Sequence, residues 1–159
     1  WAAGNTGEGC EPGAPPLGIV GVNSRPDSVT VGALRQDLRP QRYTSRGPGQ
    51  CYFFHPTVSA PTYGIFPWGN SFLDFGEFGA GTSSCVPQVA GAAAIMLTQY
   101  PEASHKQVRN ALRAGASNQK TGFPLFPYNP ATGFGVLQID KSLEALPTIN
   151  RHPYSVIFS

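Results

Sequence analysis

A serine set among small residues marks the stretch of clearest chemical promise, Gly81-Thr82-Ser83-Ser84-Cys85-Val86-Pro87-Gln88-Val89-Ala90-Gly91, with apolar residues continuing to Leu97. The pattern puts Ser83 where a helix begins. Backbone N–H groups at such a start lack intrahelical acceptors, and the helix dipole is positive there. An attacking hydroxyl, and the oxyanion its attack creates, would both be stabilised at that point. Gly81 and Thr82 keep bulk away, so the backbone can come close to a substrate. A base is still required, because an unassisted alcohol is a weak nucleophile at neutral pH. The chain has three histidines, His55, His105 and His152. His55 precedes a proline in an aromatic stretch, His105 falls in the first turn of a later helix, and His152 lies near the C-terminus. Each reads as a surface residue, not as the base. Cys85 could be a thiol activated by the same helix start, but a small buried side chain is the preferred reading.

Several elements must position these groups. The run from Ser83 or Ser84 to Gln99 is apolar on nearly all sides, which predicts a central, buried helix. Pro87 falls in its first turn, where a missing N–H costs little. A second helix is expected to open at Ser104, with Gln107 completing a capping box. Val108, Ala111 and Leu112 give it a one-sided apolar stripe, and Gly115 reads as its C-cap. Trp1-Ala2-Ala3-Gly4 reads as the end of a buried strand. Ser28 to Leu34 alternates apolar and small residues and predicts another strand, while Thr57 to Pro61 is a short extended piece stopped by proline. Residues 6–18 and 35–49 are turn-rich excursions. Asn129 to Gly135 makes a turn into Val136–Asp140, a short strand or helix entry, followed by one or two helical turns over Lys141–Ala145. Aromatic residues crowd the stretch from Tyr52 to Phe78 with no period of 2 or 3.6. Packing against the core is preferred there over an aromatic wall for an extended peptide.

The composition narrows the function classes. A chain of 159 residues is long enough for one domain with a real core. Only 13% of it is charged, against about a quarter in ordinary proteins, so the surface must rely on neutral polar residues. A net charge of +2 without a Lys/Arg cluster argues against nucleic acid or an anionic membrane as partner. The apolar run Val89–Leu97 is about half the length of a membrane span. Of the three cysteines, Cys10 and Cys51 lie in loop-like sequence and could pair in an oxidising compartment, leaving Cys85 alone. Three free thiols are an equal alternative.

The serine stretch resembles the serine signature of subtilisin-like peptidases, G-T-S-x-x-x-P-x-V-A-G, and Ala2-Ala3-Gly4-Asn5 resembles a second landmark of the same family. Other elements follow in the family's order. Val29-Thr30-Val31-Gly32-Ala33 looks like the strand after the oxyanion-hole loop. Tyr43-Thr44-Ser45-Arg46-Gly47-Pro48 is similar to the "S-x-x-G" turn, and Val58-Ser59-Ala60-Pro61 to the "V-x-A-P-G" segment, with Thr62 where glycine is usual. Pro101 to Ala116 resembles the helix behind the serine helix, and Gly133 to Ile139 the closing element. Ser84 stands where methionine is common, Gln88 where histidine is common, and Cys85 where a small residue is usual. A single motif of this kind is weak, but the ordered set is specific.

The resemblance implies an α/β fold, part of a mostly parallel, three-layer subtilisin-like sheet with a central buried serine helix. It implies a C-terminal half-domain over residues 1–146 and a tail over 147–159. Ser83 would be the nucleophile. Its own N–H and the side-chain amide of Asn5 would be the oxyanion donors, although an asparagine between Gly4 and Gly7 would otherwise read as a turn residue. Ala2, Ala3, Gly4 and Thr82 would bind substrate, a peptide or protein. In this family the order is acid, histidine, serine, so the aspartate and histidine are expected from an upstream segment, the N-terminal half of the same domain. This chain alone would then be inactive. Asn5 favours subtilisin-like enzymes over the related sedolisin-type peptidases, which use aspartate there. A lipase or esterase would need a G-x-S-x-G elbow, which no serine here has. A catalytically inactive structural or peptide-binding relative is the main alternative. Calcium is implied by resemblance only, no other cofactor is expected, and secretion is the family's usual setting.

Overall fold

The computed structural model describes residues 1–7, 18–49, 54–67, 75–78, 81–117 and 128–151. Two short strands form its centre, β1 (Val31–Leu34) and β2 (Val58–Pro61), paired in parallel with Val31 opposite Val58 and Leu34 opposite Pro61. Ala2 bridges Val31 in parallel on one side, and Val136 bridges Ser59 in parallel on the other. The N-terminal segment, β1, β2 and Val136 thus lie side by side with their C-terminal ends on one edge. In parallel sheets the groups beyond that edge are the ones free to form a site.

Three helices accompany the sheet: α1 (Val86–Gln99), α2 (His105–Gly115) and α3 (Ile139–Arg151). Val31, Ala33, Val58 and Ala60 share one core with Val89, Ala92 and Met96 of α1, Val108, Ala111 and Leu112 of α2, and Leu146 of α3. One face of a buried parallel sheet is thereby covered, as its backbone polarity demands. The opposite face is approached by the turn at 129–134, and a Cβ on Gly32 would lie 3.5 Å from the Ala131 carbonyl. The architecture is α/β, as expected.

The capping box of α2 is formed: Ser104 Oγ accepts from the Gln107 N–H at 3.3 Å, and Gln107 Oε1 accepts from the Ser104 N–H at 2.6 Å. Such a cap is worth ~1 kcal/mol. Gly115 does a different job from the C-cap expected of it. It ends the helix, Ala116 is the extended C-cap residue, and a Cβ on Gly115 would lie 2.3 Å from the Ser142 nitrogen. Glycine there lets α2 and α3 touch backbone to backbone. Helix α3 is also longer than one or two turns and carries Pro147 inside it, passing from the half-domain into the first residues of the segment set apart as a tail.

Helix α1 departs from the expectation of burial on all sides. Val89, Ala92 and Met96 are buried, but Ile95 is 50% and Leu97 41% exposed. The apolar sequence is an apolar helix, yet only one stripe of it is buried among the described residues. In the aromatic stretch, β3 (Gly64–Pro67) and β4 (Phe75–Phe78) form an antiparallel hairpin that the irregular spacing of rings does not announce. Phe54, just before it, packs with Tyr128 and Phe134 at centroid distances of 5.0 and 6.5 Å, in line with the packing reading. Cys10, Cys51 and His152 lie outside the described residues.

Candidate active site

The serine stretch begins with a single 3-10 turn, Thr82–Ser84, which leads through Cys85 into α1. Gly81 precedes it at φ +141°, a conformation that side chains disfavour. Ser83 is exposed while Thr82, Ser84 and Cys85 around it are buried. Tight neighbours therefore hold one accessible hydroxyl at the sheet's C-terminal edge.

Asn5 reaches the same point from the far end of the sequence. Its Oδ1 accepts from the Thr82 N–H at 2.9 Å and from Thr82 Oγ1 at 3.0 Å. The Thr82 hydroxyl oxygen in turn accepts from the Gly4 N–H at 3.2 Å. With Oδ1 so engaged, the amide nitrogen turns the other way. A Cβ built on Gly81 would lie 3.5 Å from Asn5 Nδ2 and 3.8 Å from the Ser83 nitrogen. The two nitrogens thus lie close to the position that a side chain on residue 81 would take. A developing oxyanion is stabilised by preorganised donors of this kind. Thr82, expected to bind substrate, spends its hydroxyl on orienting Asn5. Of the other residues expected at a substrate wall, Ala3 is buried and Ala2 and Gly4 are half-buried.

The loop that carries Asn5 is braced by the turn at 43–45. Gly7 N–H donates to the Tyr43 carbonyl at 2.8 Å and Ser45 N–H to the Gly4 carbonyl at 2.8 Å. Ser45 Oγ accepts from the Thr6 N–H at 3.2 Å. The serine turn is tied to the end of β2 by Gln88, whose amide donates to the Pro61 carbonyl at 2.7 Å and to the Ser84 carbonyl at 3.2 Å. Neither Gln88 nor Tyr43 was picked out by sequence as a contributor to the site. Their signal was faint, a polar side chain one helical turn after Ser84 and an aromatic residue opening a polar turn.

Cys85 is buried and its thiol donates to the Ala60 carbonyl at 3.1 Å. Burial pushes the thiol up to about 11, so it is inert at neutral pH. His55 corrects its reading as a surface residue: it is fully buried. Its Nε2 lies 2.9 Å from the Arg25 carbonyl and its own carbonyl accepts from Tyr128 Oη at 2.7 Å. Desolvation lowers its pKa below the ordinary value. His105 is exposed on α2. Among the described residues no histidine is hydrogen-bonded to Ser83, and no three His, Cys, Asp or Glu side chains gather as a metal-binding group.

In a parallel-sheet α/β fold, the serine turn and the asparagine side chain thus meet at the C-terminal edge of the sheet. The chain matches the subtilase family model over residues 1–135, and it belongs to that family. It is 34% identical over 123 residues to subtilisin DY from Bacillus licheniformis, a match covering 77% of this chain and 40% of that protein. Fervidolysin from Fervidobacterium pennivorans is 28% identical over 138 residues, covering 82% of this chain and 17% of the relative. Among solved structures, the prenylagaramide maturation protease PagA superposes with a TM-score of 0.64 at 24% identity, covering 91% of this chain and 49% of its own. The fold of the chain is thus found in about half of that structure. Among the described residues no helix is long and apolar enough to cross a membrane.

Proposed function

We propose that the protein is a serine endopeptidase working through an acyl-enzyme at Ser83. The observation that carries this reading is the approach of Asn5 Nδ2 and the Ser83 nitrogen to Gly81, 3.5 and 3.8 Å from where its Cβ would be. Ser83 Oγ attacks the peptide carbonyl carbon and its proton passes to a histidine. The carbonyl oxygen becomes an oxyanion held by the two N–H donors. Collapse expels the amine, which takes the proton from the histidine, and water then hydrolyses the ester by the same route. The backbone of Ala2, Ala3 and Gly4 forms one side of the peptide-binding cleft.

The histidine and its aspartate come from polypeptide outside this chain, the N-terminal half of the domain. Two observations support that assignment. The matches cover 40% of subtilisin DY and 49% of the PagA chain. A cavity of about 330 Å³ between α1, α2 and the start of β1 is lined by apolar residues including Trp1, Val29, Val86, Ala90 and Leu97. A surface of that kind is a packing face in search of a partner. The low charge fits a secreted enzyme, as would a bridge between Cys10 and Cys51. The second reading, a catalytically inactive relative, draws on the lack of a base hydrogen-bonded to Ser83 among the described residues.

Intact-mass labelling with a fluorophosphonate, with Ser83→Ala as control, tests the assignment. The chain alone should stay unlabelled and should label at Ser83 once its upstream polypeptide is present. Labelling of the chain alone would return the search for a base to the three histidines. Silence in both conditions would favour the inactive relative.

A further inference from the structure

Gly81 is held by two hydroxyl side chains in a closed ring. Its N–H donates to Tyr43 Oη at 2.8 Å, Tyr43 Oη donates to Thr62 Oγ1 at 3.0 Å, and Thr62 Oγ1 donates to the Gly81 carbonyl at 2.9 Å. Each hydroxyl gives one proton and accepts one, so the ring has a consistent sense and no leftover donor. Bonds linked head to tail polarise one another and strengthen the set. Thr62 is fully buried at the end of β2, where its N–H donates to the Leu34 carbonyl at 2.9 Å. It is therefore fixed to the sheet. Tyr43 is half-buried, and its carbonyl holds Gly7 in the Asn5 loop while its hydroxyl holds Gly81. One residue thus braces both sides of the oxyanion space.

We infer that Tyr43 and Thr62 are a pair of positioning residues that set the distance between the Asn5 amide and the Ser83 N–H through the backbone of Gly81. The inference rests on the proposed role of Ser83. Glycine at φ +141° gains no rigidity from a side chain of its own, and it is the residue in a chain with the most freedom to move. A turn carrying such a residue needs an external constraint if the donors beyond it are to be preorganised. Thr62 occupies the place where the family segment usually has glycine, so its hydroxyl is a feature of this chain. The tyrosine hydroxyl is its partner, and neither completes the ring without the other.

The test uses Tyr43→Phe, Thr62→Val, the double variant and Thr62→Ser, each of which keeps the approximate volume of its site or the hydroxyl. Amide exchange of Gly81 is followed in the chain, with the buried Val31 amide as a reference for global opening. Each single hydroxyl deletion should speed Gly81 exchange by about tenfold relative to Val31, the scale of one lost hydrogen bond. The double variant should be no faster than the singles, because each breaks the whole ring. Thr62→Ser should restore slow exchange. In the assembled peptidase the same deletions should lower kcat by about tenfold with KM changed little, the pattern of a loss felt in the transition state. Unchanged Gly81 exchange, or single effects that simply multiply in the double variant, would overturn the ring. Altered exchange with kcat unchanged in an active assembly would leave the ring intact but overturn its positioning role. If the assembly never labels at Ser83, the proposed function fails while the exchange result still reads the ring.

Discussion

The corner around Gly81 and the apolar face beside α1 are two regions of opposite character. At the corner, Asn5, Thr82, Tyr43, Thr62 and Gln88 are joined by hydrogen bonds of 2.7–3.0 Å. On the face, Trp1 is 62% and Leu97 41% exposed, and both line a cavity. The corner is complete in its polar contacts and the face is incomplete in its apolar ones. Polar geometry is local and can be finished by a few side chains, whereas apolar burial needs area, which a half-covered sheet and three helices cannot supply. Under the proposed function, the contrast separates the serine turn, which the chain braces by itself, from the apolar face, which the upstream polypeptide would cover.

The largest effect expected from breaking the contrast is at the corner. In the assembled enzyme Asn5→Ala should reduce turnover strongly with little change in KM; ~10²–10³ is the known cost of removing the oxyanion asparagine from subtilisin itself. A steady-state kcat near that of the unaltered enzyme would mean the two donors do not act together. The face should respond differently. Leu97→Gln should leave the Gly81 corner unaltered and weaken binding of the upstream polypeptide by about tenfold or more, given ~1.5–3 kcal/mol per fully buried aliphatic side chain. Unchanged assembly would remove the face as the docking surface.

The smallest effect belongs to His55, whose ring is bonded to the Arg25 carbonyl and not to the serine turn. Its folded pKa lies below the ordinary 6.5. The unfolded chain therefore takes up the proton first as pH falls, so the stabilising contribution is present above 6.5 and is lost as pH drops through the lower folded value. Urea midpoints should decline over that interval, and His55→Gln should flatten the slope. Equal slopes in both proteins would mean that the ring is not held neutral.

Much of the fold and site is legible in sequence where the signal is local. Ser104 and Gln107 announce their cap because the two side chains serve their own turn. Val31–Leu34 and Val58–Pro61 are readable as strands from apolar and β-branched runs. Ser83 and Asn5 stand out through motifs. What stays hidden depends on partners distant in sequence. Gly115 looks like a helix stop until α3 lies against it. His55 looks exposed until Arg25 and Tyr128 close over it. The open side of α1 looks buried because hydrophobicity states a requirement and not whether the chain meets it. The Tyr43–Thr62 ring joins residues that no local pattern connects, and the hairpin of β3 and β4 lacks the alternation that would reveal it.

Asn5 and Thr82 meet across 77 positions, with Tyr43 and Thr62 locking the turn from between them. No short piece of the chain contains the complete corner. During synthesis the asparagine emerges first, then the brace, then the end of β2, and the serine turn last of all. The serine turn therefore cannot take its braced form in a short nascent chain or in small proteolytic fragments, because the residues that hold it arrive from three separate stretches of sequence.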